Sequence, residues 1–127
     1  RRRGGAGDLR NLEKMIGKIA DKADLASLAY LEEADDEPTP TIRATAALRE
    51  REGIRVFYLT ASPQKAAGFR QEPRASLYLL APGFHRGVCL SGTVEVLDGA
   101  ESCMLKFTAK RGRYYTNFKS EIFLIPD

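Results

Sequence analysis

Apolar residues follow a helical spacing in only two stretches of this chain, and almost everywhere else they alternate. Leu9, Leu12, Met15, Ile16 and Ile19 recur every three or four positions, which predicts an amphipathic helix from Asp8, a good N-cap, to about Lys22. Gly17 interrupts it with a poor helix former. Leu25 to Glu33 reads as a first strand, and Ala34 to Pro40 as an exposed acidic turn. Thr41 to Arg49 then alternates, with Ile42, Ala44, Ala46 and Leu48 on one face and Thr41, Arg43, Thr45 and Arg49 on the other. That pattern predicts a half-buried strand, apolar side inward and Arg43 on the polar side. A charged turn, Glu50 to Gly53, leads to a β-branched and aromatic strand, Ile54 to Thr60, which can pair with the strand before it.

The second helical stretch opens at Ser62-Pro63, a capping residue followed by proline at the first helical position, and Pro73 stops it. Arg74 to Ala81 and Gly87 to Leu97 are further strands, with Gly92 at a bulge or a close approach of backbones. Turns fall at Pro82-Gly83 and Asp98-Gly99. Cys103, Leu105, Phe107 and Ala109 alternate through Lys110. Gly112 reads as a turn, and Arg113 to Phe118 and Glu121 to Ile125 close the chain as short extended pieces. So many short strands with two helices favour a closed or nearly closed antiparallel barrel.

Composition sharpens this picture. The 127 residues, 43% of them hydrophobic, fit one domain with a real core, here 8–127 behind a flexible arm, 1–7. Cys89 and Cys103 lack ligand spacing and read as small hydrophobes on strands, which suits the cytoplasm. No apolar run approaches membrane-spanning length, and Arg1-Arg2-Arg3 precedes glycines rather than the apolar core of a signal peptide. Three of the 20 basic residues are Arg1 to Arg3, and the other 17 match the 17 acidic ones. The body of the chain is therefore neutral, which argues against nucleic acid as a partner.

The candidate chemistry is narrow. The single histidine, His85, sits in a turn without cysteines or carboxylates around it, which argues against a metal site. No nucleophile elbow and no glycine-rich nucleotide loop is present. What remains is Arg43 with Thr60, Ser62 and Lys65. A helix N-terminus flanked by hydroxyls offers donors to an anion. Lys65 falls in the first turn, where the helix dipole disfavours a cation unless an anion sits nearby. Arg43 adds a fork suited to phosphate. On spacing alone a plainer reading stands beside this one: Ser62 merely caps, Lys65 is solvated and Arg43 pairs with an acidic neighbour.

The run from Phe57 through Leu77, with its aromatic strand ending in Thr60, then Ser62, Lys65, a short helix, and Glu72-Pro73 before an apolar strand, resembles the pyridoxamine 5′-phosphate oxidase-like family, in particular its small general-stress-protein members. Thr41-Ile42-Arg43-Ala44-Thr45 is similar to the family strand that carries a phosphate-binding arginine, and Val88 to Asp98 to its strand, glycine, strand, aspartate element. The resemblance spans about Leu9 to Ile125. It implies a mainly β fold, a six-stranded antiparallel split barrel with flanking helices, that binds flavin mononucleotide (FMN). Arg43, Thr60, Ser62 and Lys65 would hold the phosphate, the backbone at Ala44 and Thr45 would approach the ring, and Tyr114 or Tyr115, with Tyr115 preferred, would stand near the flavin.

It also implies a homodimer with the flavin between subunits, and a flavin-dependent oxidoreductase acting on a small molecule. The alternative is a non-catalytic module or sensor of the same fold, holding FMN, haem or a deazaflavin. Two departures follow. The family's helical segment after the Asp98-like turn is replaced by Gly99-Ala100-Glu101-Ser102-Cys103, so the chain is shortened there or a stretch is missing. The chain also ends at Ile125-Pro126-Asp127, without the family's arginine-bearing substrate segment, so pyridoxamine 5′-phosphate is not the expected substrate.

Overall fold

A computed structural model of the chain describes residues 6–23, 25–51, 53–83, 86–97 and 103–126. The elements run α1 (Ala6–Lys22), β1 (Ala26–Ala34), β2 (Glu37–Thr45), β3 (Leu48–Arg49), β4 (Val56–Ala61), α2 (Pro63–Gln71), β5 (Arg74–Leu80), β6 (Arg86–Leu97), β7 (Cys103–Thr116) and β8 (Lys119–Leu124). The strands form one antiparallel sheet in the order β2-β1-β5-β6-β7-β4-β3, with β8 also on β7. The fold is thus a split β-barrel flanked by two helices, built from eight strands rather than the expected six. His85, the Asp98-Gly99 turn and the Gly99-to-Ser102 junction lie outside the described residues, as do most of the N-terminal arm and the capping side chain of Asp8.

The core is the concave side of this sheet. Leu28, Phe57, Leu77, Leu90, Leu105 and Phe107 fill it, and Ile16 and Ile19 of α1 and Phe69 of α2 close it. Gly17 has a specific use here. The Arg49 guanidinium lies against it, with Nη1 3.1 Å from where a Cβ would stand. Arg49 then donates to both Asp21 carboxylate oxygens at 3.2 and 2.8 Å and to the Gly53 carbonyl at 2.9 Å, tying α1 to the start of β4.

Four local readings are corrected. First, the acidic turn is only Asp35-Asp36, whose φ of 52° and 63° make the tight hairpin that right-twisted strands favour. Pro38 and Pro40 lie in β2, tolerated because β2 is an edge strand, hydrogen-bonded on β1 alone.

Second, Thr41 to Arg49 is not one strand against Ile54 to Thr60. β2 pairs with β1, and only the two residues of β3 pair with β4, Leu48 with Tyr58 and Arg49 with Phe57. Third, the faces of β2 are reversed. Arg43 stands opposite buried Leu28, and Thr41 opposite buried Tyr30, and opposed residues share a face. Thr41, Arg43 and Thr45 therefore sit on the core side, whereas Ile42 is 71% exposed on the outer side.

Fourth, Gly112 is not a turn but an interior position of the 14-residue β7. It pairs with Phe123 of β8 and Leu90 of β6, and an added Cβ would come within 2.4 Å of the Phe123 ring. The chain reverses instead at Asn117, with φ 50°. Gly92 is where the β6–β7 register shifts; a Cβ there would fall 1.9 Å from the Thr108 carbonyl oxygen, so the close approach expected there is present.

Candidate functional site

α2 starts where β4 stops, and its first turn is organised by Ser62. The Ser62 hydroxyl accepts from the Lys65 backbone N–H at 3.3 Å, and its carbonyl accepts from Ala66 N–H at 2.9 Å. Pro63 has no N–H to satisfy, so Gln64 carries the remaining backbone donor of that turn. Thr60 and Ser62 are both exposed. Phe69 anchors the helix by packing its ring 5.2 Å from that of Tyr30 on β1.

One turn in, the Lys65 ammonium reaches Glu32 of β1 at 3.6 Å, with side chains 35% and 45% exposed. That pair supplies the negative charge the helix dipole requires near a first-turn lysine, so the dipole argument alone does not demand a phosphate. It is a long, wet contact of the kind worth well under about 1 kcal/mol, and an anion with several acceptor oxygens can displace it.

Arg43 lies on the same side of the sheet as this helix turn. Tyr30 and Glu32, which meet α2, and Leu28, which faces Arg43, share one face of β1. Arg43 is two rows along from Thr39, the residue opposite Glu32, a separation of ~13 Å at ~3.3 Å per residue. The Arg43 side chain is exposed. Thr45 shares the Arg43 face, and Ala44 points to the other.

Tyr115 does not join this group. It stands on the outer face, its ring 6.2 Å from that of Tyr78, and Tyr114 is buried with its hydroxyl donating to Met15 Sδ at 3.1 Å. Burial raises the Tyr78 phenol above its ordinary value, with Tyr115 and Cys89 adding to the effect. The helix ends on a second ionic feature. Arg74 Nε and Nη2 both donate to the Glu72 carboxylate at 2.8 Å, and this fork holds Glu72 down to about 2.

One feature escapes sequence reasoning. The outer face of the sheet carries a groove of about 700 Å³ whose lining includes Ala29, Pro40, Ser76, Ser91, Arg111 and Leu124. Its floor is made of small residues, and the Ser76 and Ser91 hydroxyls share a 2.9 Å hydrogen bond. The residues come from six strands, so only the registers, and no local motif, bring them together. Among the described residues no cluster of metal-ligating side chains occurs, and no helix is long and apolar enough to cross a membrane.

No protein-family model and no curated protein matches the chain. Solved structures do. A protein related to general stress protein 26, of the pyridoxine phosphate oxidase family, from Clostridium acetobutylicum superposes with a TM-score of 0.73 at 20% identity, over 85% of this chain and 90% of its own. General stress protein 26 of Bacillus anthracis gives 0.73 at 12% identity, over 91% and 99%. A haem-binding protein of Mycobacterium smegmatis gives 0.68 at 15% identity, covering 98% of this chain and 60% of its own. These likenesses establish the split-barrel fold.

Proposed function

We propose that the chain is an FMN-binding protein that works as a homodimer and serves as a flavin-dependent oxidoreductase on a small molecule. The observation that carries this reading is the set of anion donors at the start of α2 and on the core side of β2: the Arg43 guanidinium, the Ser62 hydroxyl, the Gln64 N–H and the Lys65 ammonium, held weakly enough by Glu32 to be released. Thr60, which alternates with buried Leu59 and pairs with exposed Met104, stands on the outer face of β4 and is not brought to this set. Such a set fits a phosphomonoester, whose three acceptor oxygens can each take a charge-assisted bond. FMN, when bound, supplies hydride and electron chemistry, and the protein supplies position and electrostatics. Arg43 and Lys65 would hold the phosphate end, and the backbone at Ala44 and Thr45 would approach the ring. Tyr115, on the other face, would serve a flavin only from across a subunit interface. Both cysteines are free, which suits the cytoplasm.

The test is an absorption titration. Protein mixed with FMN should perturb the flavin bands and quench flavin fluorescence at stoichiometric ratios, and NAD(P)H should then bleach the bound flavin. A protein that leaves FMN fluorescence untouched does not hold flavin. The haem-binding mycobacterial protein motivates a second reading, a non-catalytic haem module of the same fold. Haemin in the same titration, giving a Soret shift while FMN gives no response, would select it.

A further inference from the structure

Tyr30 lies beneath α2 with a hydroxyl that has nothing to bond. Its side chain runs from β1 towards the helix, where its ring packs 5.2 Å from that of Phe69 at a tilt of 45°. The residue is 9% exposed. Among the described residues its hydroxyl is the one buried side-chain polar atom without a hydrogen-bond partner. The registers show why. The residues beside Tyr30 in the sheet are Thr41 of β2 and Ala75 of β5. Thr41 donates its hydroxyl to the Thr39 carbonyl at 3.0 Å, and Ala75 has no polar side chain. A buried hydroxyl without a partner loses its bonds to water and gains none in return, so folded chains rarely keep one without a use. Phenylalanine would fill the same space without that loss.

The surroundings of Tyr30 supply the use. Between β1 and α2 lies a cleft of about 300 Å³ whose lining includes Tyr30, Glu32, Gln64, Lys65, Gly68 and Phe69. That volume stands at the small end of ligand sites, roughly 300–1,000 Å³, so it takes a headgroup rather than a whole flavin. Gly68, one turn along α2 from Gln64, leaves open space beside it. The first turn of α2 contributes the Gln64 N–H and the Lys65 ammonium, two donors of a kind that suits an anion. A hydroxyl with no exposed surface is reached only when a neighbour moves. The residues lining the cleft include one weak pair, Lys65 with Glu32, at 3.6 Å and partly exposed on both sides.

We infer that this cleft is an anion seat and that the Tyr30 hydroxyl is a donor kept for its occupant. When Lys65 leaves Glu32 for the anion, the phenol adds a neutral hydrogen bond to those of the ammonium and the Gln64 N–H. The ligand class is phosphate, free or as a monoester, whose oxygens accept from all three. Tyr30 thereby determines specificity for a phosphorylated ligand over its dephosphorylated form. Its ring is already fixed against Phe69, so binding orders little of it. The inference rests on the anion site of the proposed function and not on the flavin.

The test is Tyr30→Phe, read with FMN, riboflavin and inorganic phosphate by calorimetry. Urea unfolding of the ligand-free variant should give a midpoint no lower than the parent's, because the hydroxyl bonds nothing there. FMN and inorganic phosphate should each bind at least about tenfold more weakly, as the loss of one hydrogen bond to a charged acceptor requires, and riboflavin should bind as before. Inorganic phosphate should also shift the ultraviolet absorption of a buried tyrosine in the parent and not in the variant. Unchanged phosphate affinity in the variant, or a loss shared equally by riboflavin, overturns the inference, while FMN binding by the parent still supports the proposed function. A ligand-free variant that unfolds at lower urea also overturns it, because the hydroxyl then has a partner inside the fold. A parent that ignores FMN but binds inorganic phosphate through Tyr30 upholds the inference and removes the flavin. A parent that binds neither removes both.

Discussion

At the scale of single residues, Lys65 reaches the Glu32 carboxylate at 3.6 Å, and under the proposed function an incoming phosphate would compete with Glu32 for its ammonium. Lys65→Ala and Arg43→Ala should each weaken FMN by roughly 1.5–3 kcal/mol, the worth of a charge-assisted bond, and weaken riboflavin little. Glu32→Gln should act in the opposite direction and tighten FMN, because the neutral amide no longer neutralises Lys65. Fluorescence titration of the three variants with both ligands checks this, and equal losses for FMN and riboflavin would place the phosphate elsewhere.

A second residue-scale outcome concerns Glu72, held down to about 2 by the Arg74 fork. A depressed carboxyl stabilises the fold above its unfolded pKa and loses that contribution as pH falls through its folded value. The window is therefore from the ordinary carboxylate range down to about 2. An NMR titration should find the Glu72 midpoint there, and Arg74→Gln should return it to the ordinary range. Ser62 as the cap and Lys65 in the first turn were legible because capping and dipole effects act within one helical turn. Glu32 was not, because it comes from another strand, and nothing in its local sequence points to Lys65.

At the scale of elements, the strongly patterned pieces were readable and the sign of the pattern was not. Both helices and the β4, β5 and β6 strands lie within a few residues of where spacing and punctuation put them, and Gly92 marks a real close approach. Alternation in Thr41 to Arg49 was equally clear, yet it states only that two faces differ. Which face is buried depends on what covers each one. At the edge strand β2 the core side stays wet enough for Arg43, while Ile42 is left exposed on the outer side. Gly112 misled for a related reason. Flanked by arginines it looks like a turn, but its absent side chain makes room for Phe123 from the neighbouring strand. Gly112→Ala should therefore destabilise the protein by about 1–3 kcal/mol, as overpacking does. Gly68→Ala, in α2 with nothing within 4 Å of the new methyl, should stabilise it by up to about 1 kcal/mol. Urea unfolding of both variants gives opposite displacements of the midpoint from one substitution type, so a common sign would show that packing around Gly112 is not as tight as drawn.

At the scale of the whole molecule, the sheet separates two sets of cations, and that separation bears on substrate choice. Arg43 and Lys65 stand on the core side, by α2. Arg111 and Arg113 stand on the outer face, opposite Leu124 and Ile122 of β8. A substrate that carries its own phosphate, such as pyridoxamine 5′-phosphate, needs a second cluster of cationic donors beside the flavin ring, distinct from the one that grips the cofactor. Under the proposed function the core-side cations serve the FMN phosphate. Elsewhere, Arg74 is held by Glu72 and Arg49 by Asp21, each at 2.8 Å, and Arg113 and Lys119 lie on the β7–β8 hairpin, where Arg113 donates to the Ser120 hydroxyl at 3.5 Å. The FMN-loaded protein is thus expected to leave pyridoxamine 5′-phosphate unoxidised, while accepting electrons from a reductant that binds through its ring rather than through an anion. The assay follows pyridoxal phosphate formation at saturating FMN. Turnover of roughly one per second or faster, an ordinary enzymatic rate, would reveal a second phosphate site that this arrangement of charges does not provide.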